Sequence, residues 1–213
     1  MPQRLPPRRL TESTRPTLQR RAAGAALCAA VLAGCATVMP DTALAPYRER
    51  IALSGRLSVN YHQHGDGAPA SLTGKFNWSQ QPGRIDVGLA SPTGQTIATL
   101  SVTPQAAVLE QAGQAPRAAH DVDSLSAQAL GWALPVSGLR DWLQGRAIDA
   151  DGKPFAASPR RDSVITRDGW RLRFVSWQDE AAVPARPKRI DAERVTAVAA
   201  EEMSIRIVID PQE

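Results

Sequence analysis

The chain has 213 residues, 25 basic against 21 acidic, and only two cysteines, with an isoelectric point near 9.6. Six arginines but only one acid, Glu12, fall within residues 1–34, so the remaining 179 residues carry 19 basic and 20 acidic side chains. A body this close to neutral lacks the electrostatic footprint of a nucleic-acid binder, and two cysteines exclude a disulfide framework.

Arg8, Arg9, Arg15, Arg20 and Arg21 precede an uncharged, mostly apolar run from Ala22 to Leu32, the grammar of a signal peptide. That run is much shorter than the roughly 20 residues needed to span a bilayer as a helix, so the segment is expected to be cut. Leu32-Ala33-Gly34-Cys35 closes it. Small residues before a cysteine let a peptidase reach the bond, and the four positions resemble the lipobox of bacterial lipoproteins. The resemblance implies a diacylglycerol on the Cys35 sulfur and a third acyl chain on its amine. Buried acyl carbons contribute about 0.8 kcal/mol per CH2, and two chains already anchor stably. Ala36 stands where, in enteric-type lipoproteins, Asp retains the protein in the inner membrane, which implies an outer-membrane address facing the periplasm. Cys28 falls in the removed leader. The expected division is a leader over 1–34, an anchor and tether over 35–46, and a single domain over 47–213.

Tyr47 to Leu53 is expected to add a short helical turn, after which strand alternation begins. Leu53, Gly55, Leu57, Val59 and Tyr61 share one face, and His62 to Pro69 is a Gly-rich turn. Leu72, Gly74, Phe76 and Trp78 repeat at period two up to the turn Gln81-Pro82-Gly83. Ile85, Val87 and Leu89 form a third strand, Ser91-Pro92-Thr93-Gly94 breaks it, and strands over Gln95–Val102 and Ala106–Glu110 continue an antiparallel meander. Helical spacing then takes over. Val122, Leu125, Ala129 and Trp132 follow Asp121 as N-cap, and Val136, Leu139 and Leu143 share the face of a second helix with Pro135 in its first turn and Gly145 at its end. Trp170, Leu172 and Phe174 alternate again, as do Met203, Ile205, Ile207 and Ile209. The fold class is α+β, mostly β: a curled antiparallel sheet covered by helices.

Chemistry-bearing motifs are scarce. His62, His64 and His120 are the histidines, and the first two lie at a turn without the further ligands of a metal site. Asp149 and Asp151 flank an Asp-Gly turn and lack the rest of a calcium loop. No Gly-x-Ser-x-Gly elbow and no phosphate loop occurs. The expectation is a protein that is not an enzyme and carries no metal or cofactor beyond the covalent lipid on Cys35. The remaining signal is apolar: Trp78, Trp132, Trp142, Trp170 and Trp177 among alternating Leu, Val and Ile. Such residues make either an ordinary core or a core left partly open for an apolar ligand.

Three stretches resemble the LolB family of outer-membrane lipoproteins: Gly55-Arg56-Leu57-Ser58-Val59 with Phe76-x-Trp78; Leu89-Ala90-Ser91-Pro92-Thr93-Gly94; and Gly131-Trp132-Ala133-Leu134-Pro135-Val136-x-x-Leu139-Arg140-x-Trp142-Leu143-x-Gly145. Gly169-Trp170 and Arg186-Pro187 follow in the expected late region. The resemblance implies a half-open barrel whose helices close an apolar cavity. The implied role is to take acylated lipoproteins from a LolA-type periplasmic chaperone and insert them into outer-membrane lipid. The expected cavity set is Leu57, Val59, Phe76, Trp78, Val87 and Leu89, with Leu134, Trp142, Leu172 and Phe174 as cover. It further implies that the loop Ser91, Pro92, Thr93 and Gly94 touches the membrane through its third residue. Here that residue is Thr93, a weak wedge, so Leu89 or Ile97 is expected to contribute; a plain hairpin turn is the equal alternative. A structural or assembly lipoprotein binding a partner through its sheet edge is the competing reading of the whole chain, and a lipid-anchored hydrolase a more distant one.

Overall fold

Ile51 and Leu53 alternate with exposed Ala52 and Ser54, and that period of two dictates a strand where a helical turn was expected from Tyr47. In the computed structural model, which describes residues 44–62, 68–132, 134–179, 184–194 and 202–212, β1 spans Ile51–His62. Residues 47–50 are an irregular lead-in. Next come β2 Pro69–Gln81, β3 Arg84–Ala90, β4 Thr96–Val102, β5 Ala107–Gln111 and β6 Arg117–Ala119. Helices α1 Val122–Leu130 and α2 Val136–Trp142 follow. The chain then forms β7 Arg146–Ile148, β8 Pro154–Ala156, β9 Ser163–Ile165, β10 Trp170–Trp177, β11 Pro187–Arg194 and β12 Ser204–Ile209.

The described residues make one antiparallel sheet of ten strands in the order β6-β5-β4-β3-β2-β1-β12-β11-β10-β9, with β7 and β8 as a separate hairpin. Antiparallel neighbours rotate by roughly 20–25° each, so ten strands curl strongly, yet β6 and β9 do not pair and the sheet stays open. Each of these edge strands is three residues long. Short edges offer little backbone to a further strand.

Alternation sorts the faces. Leu57 and Val59 of β1, Phe76 and Trp78 of β2, Val87 and Leu89 of β3 and the isoleucines of β12 are buried on the helix-covered face. The other face carries polar clusters. There Arg84 pairs bidentately with Asp86 at 2.7 and 2.8 Å, and Arg189 and Arg206 both reach Asp191. Closing the sheet across its middle are β1 and β12, with Leu57 opposite Ile207 and Val59 opposite Ile205.

The helices form where the capping chemistry permits. The Asp121 carboxylate accepts from the amides of Asp123 and Ser124, and Gly131, at φ 77°, lets α1 end in the left-handed turn that costs a side chain most. Pro135 caps the start of α2, where its missing N–H costs nothing. Trp132 lies just beyond α1 but is buried all the same. The strands without a clear alternating signal are β6, β7, β8, β9 and β11. In β11 Pro187, Ile190 and Ala192 are the buried apolar positions, each between charged neighbours.

Candidate functional site

Between the sheet and the helices lies a wholly apolar void. Its sheet wall is Leu57, Phe76, Trp78, Val87, Leu89, Ile205 and Ile207, and its cover is Leu134, Leu139 and Leu143, around a cavity of about 20 Å3. A second void of about 100 Å3 adjoins it, sharing Leu57 and Leu89 and adding Leu72, Ile97, Ala129, Leu130 and Trp132, with Lys75 and Gln111 as its polar members. Leu57 and Leu89 thus form a wall common to the two voids. Close backbone approach at the outer void depends on Gly74, because a Cβ there would stand 2.4 Å from the Ala90 carbonyl oxygen.

Of the ten side chains expected around a cavity, Leu57, Phe76, Trp78, Val87, Leu89 and Leu134 meet around the inner void. Val59, Trp142, Leu172 and Phe174 are buried but lie off both voids. Trp142 meets Trp170 edge-on at 5.7 Å, and Phe174 stacks between Phe155 and Trp177 at 6.3 Å each. A register shift between Phe174 and Trp177 turns both rings to the same face, as a bulge does, which plain alternation could not foresee. Sequence reading also passed over Leu139, Leu143, Ile205 and Ile207. Their periodic spacing was visible; their meeting across the sheet was not.

Polar groups hold the cover in place. Ser126, on α1, accepts through Oγ from the Leu134 amide at 2.9 Å and has the Asp123 carbonyl at 2.8 Å and the Leu134 carbonyl at 3.2 Å as acceptors for its one hydroxyl proton. Asp123 accepts from the amide and hydroxyl of Ser137, which ties α1 to α2. Burial pushes the Asp123 carboxyl above its ordinary range, against the hydrogen bonds from Ser137 that pull it down. At the far side Tyr47 accepts from Arg140 Nε at 3.0 Å and from Gln80 Nε2 at 2.9 Å. Arg48 and Gln144 exchange two bonds of 2.8 and 3.1 Å. The lead-in to β1 thus fastens α2, whereas α1 meets the sheet through Gln111 to the Ala129 carbonyl at 3.3 Å and Arg117 to the Gln128 carbonyl at 3.5 Å.

The loop Ser91–Gly94 borders the outer void through Ala90 and Ile97. It is bonded to itself: the Gly94 amide donates to the Ser91 carbonyl at 2.9 Å, the Ser91 amide to that of Gln95 at 2.8 Å, and the Ser91 and Thr93 hydroxyls lie 2.8 Å apart. Pro92, Thr93 and Gly94 are exposed. Leu89 is buried against the void and presents no apolar surface beside the loop, contrary to expectation, because its strand parity turns it inward; Ile97 is half-buried on the void wall.

A larger open groove of about 600 Å3 lies at the ends of β1, β2, β10, β11 and β12, but its wall mixes Asn60, His62, Arg171, Glu193 and Arg194 with apolar groups, a poor match for hydrocarbon. His62 sits 3.4 Å from the Glu202 carbonyl, and no three metal-ligating side chains cluster among the described residues. His120 is exposed, and Asp149 accepts from the amides of Asp151 and Lys153, the bonding of a turn residue. Cys35 and His64 lie outside the described residues.

Comparison with known proteins points the same way. The family model for outer membrane lipoprotein LolB matches residues 49–211. The outer-membrane lipoprotein LolB of Cupriavidus pinatubonensis is 39% identical over 212 residues, covering 93% of this chain and 99% of the relative. That of Ralstonia nicotianae is 36% identical, covering 91% and 99%, and that of Thiobacillus denitrificans 34% identical, covering 90% and 96%.

Proposed function

This chain belongs to the outer-membrane lipoprotein LolB family, a lipid-anchored class of the outer membrane, and from that premise we propose that it accepts acylated lipoproteins from a LolA-type periplasmic chaperone and passes them into outer-membrane lipid. The observation that carries the reading is the pair of adjoining voids between sheet and helices, the inner wholly apolar and the outer mostly so. A triacylated cargo exposes hydrocarbon to water, and each buried CH2 favours an apolar site by about 0.8 kcal/mol. Transfer therefore runs downhill from a weaker cavity to a stronger one and on to the bilayer, with no nucleotide consumed.

Voids of about 20 and 100 Å3 fall short of the roughly 300–1,000 Å3 of a ligand pocket, so the described conformation is the closed one. Uptake requires the cover to lift. Helix α1, through Ala129 and Leu130, is the less fastened wall of the outer void, whereas Leu139 and Leu143 over the inner void belong to α2 and its end, which Tyr47, Arg48 and Gln144 hold to the lead-in of β1. Cys35 carries the anchor, and residues 36–46 tether it to the domain. The edge-binding alternative gains no support from edges only three residues long.

The test mixes the purified protein with the chaperone loaded with an acylated lipoprotein. Cargo moves onto this chain and then into added vesicles; cargo that stays on the chaperone overturns the proposal. Replacing Cys35→Ala should release the protein from membranes into the soluble fraction, read by sedimentation. A variant that still pellets with membranes would assign lipid binding to the domain surface.

A further inference from the structure

Gln111 ends β5 and stands on the wall of the outer void, among Leu57, Leu89, Ile97 and Trp132; the wall's other polar residue, Lys75, is exposed and does not bond Gln111 Oε1. Its Nε2 donates to the Ala129 carbonyl at 3.3 Å. A carbonyl can only accept, so this bond settles which way the side-chain amide is turned. Oε1 is thereby left over, and it is buried without a hydrogen-bond partner. An unmet buried acceptor is costly and rare in folded proteins. Here it sits at the outer void, whose neighbour across Leu57 and Leu89 is hydrocarbon on every side.

We propose that Gln111 Oε1 is a specificity group for the head of the acyl ligand: it accepts a hydrogen bond from an amide N–H attached to an acyl chain lying in the adjoining voids. This rests on the cavity reading above and deepens it. A chain entering tail first passes Leu57 and Leu89, common to both voids, and its head stops at the outer one. An amide-linked chain brings a donor to that point; an ester-linked chain of equal length brings only acceptors. Placing an ester oxygen against Oε1 leaves the buried acceptor unmet, so the site discriminates by the penalty as well as by the bond. The ligand class is therefore an acyl chain joined to peptide through nitrogen, as on an N-acylated amino terminus. The bond from Gln111 to Ala129 also ties the reader to the end of α1, so occupancy of Oε1 and the position of that helix end meet at one side chain.

The experiment uses the full chain carrying Cys35→Ala and an apolar fluorescent dye held in the cavity. Two probes of equal length compete for it: the methyl ester of N-hexadecanoylglycine, and the methyl ester of O-hexadecanoylglycolic acid, in which oxygen replaces the N–H. The amide probe is expected to displace the dye at about fivefold lower concentration, the factor that one net hydrogen bond supplies. Gln111→Met, which keeps the length of the side chain but removes both the acceptor and the bond to Ala129, is expected to equalise the two, read as the ratio of their displacing concentrations in the same variant. Equal binding of both probes to the parent chain overturns the inference while leaving the cavity reading in place; that arm needs no variant at Gln111. An amide preference that survives Gln111→Met overturns it too, because another group or a bound water then reads the head. Failure of both probes to displace the dye overturns the cavity reading itself.

Discussion

Beneath α2, toward β10, the core is filled by rings: Trp142 on Trp170, and Phe174 between Phe155 and Trp177. Toward β2, β3 and β4 it is mostly aliphatic and leaves two voids, the outer beneath the end of α1 and the inner beneath Leu134, Leu139 and Leu143. Both regions obey the same inward alternation and both are buried. Burial alone therefore does not separate a packed core from a binding cavity. What separates them is whether the facing volumes fill the space between sheet and helix, since a gap of even part of an ångström forfeits much of the dispersion attraction of its lining. One half of the core is closed by ring packing and the other keeps unfilled volume.

The largest test of this contrast is Trp142→Ala. It should cost about 3–5 kcal/mol in urea unfolding, as large aromatic truncations in filled cores do. Leu134→Ala, on the void wall, should cost only about 2 kcal/mol, because Leu134 already lacks contacts on one side. Equal losses at the two sites would erase the distinction between the halves.

Filling the void is the converse. Ala129→Leu adds three carbons at the outer void, and Leu is nearly as good a helix former as Ala. Stability should stay within about 1 kcal/mol while the affinity of acyl probes falls about tenfold, which is about 1.4 kcal/mol. Undiminished probe binding would place the acyl site elsewhere.

The tie between α1 and α2 is addressed by pH. Burial holds the Asp123 carboxyl above its ordinary value of 3.8. A carboxyl raised on folding favours the folded state in its protonated form. Its contribution is full below the unfolded value and is lost as pH rises through the folded one. Asp123→Asn keeps an acceptor for the Ser137 amide without the charge, so it should be more stable than the parent at pH 7, with the gap narrowing toward pH 4. A gap that is constant with pH would mean that the charge is not what burial opposes.

The smallest effect belongs to the loop. Thr93 is exposed, so Thr93→Leu should change stability by no more than about 0.5 kcal/mol. In the Cys35→Ala background it should increase co-sedimentation with vesicles. An unchanged pellet would leave Ser91–Gly94 as a hairpin turn with no membrane role.

Much of the site was legible in the residues. Period-two alternation marked Leu57, Phe76, Trp78, Val87 and Leu89 as inward-facing, and Leu134 was already in the expected cover. Val59, Trp142, Leu172 and Phe174 carry the same signature but lie off the voids, because strand parity reports a face and not the volume opposite it. Ile205 and Ile207 were visible as a strand, yet their place beside β1 depends on a pairing of residues some 150 positions apart. Gln111 gave no sequence signal. A polar residue at the end of a short strand becomes a candidate reader only when a helix end takes its donor and leaves its acceptor buried.

The local chemistry of this chain was determined by the sequence alone. It includes the leader and lipobox grammar, the Asp121 and Gly131 caps, the turns at Pro82-Gly83 and Pro92, and the inward face of β1 to β4. These depend on neighbours within a few residues, whose backbone and side-chain preferences act locally. Only the tertiary structure decided that β12 joins β1, that β11 is a strand at all despite its charges, and that one half of the core closes on stacked rings while the other leaves voids. Strand order and cavity volume come from the fit of surfaces distant in sequence, and no single segment encodes the space between two of them.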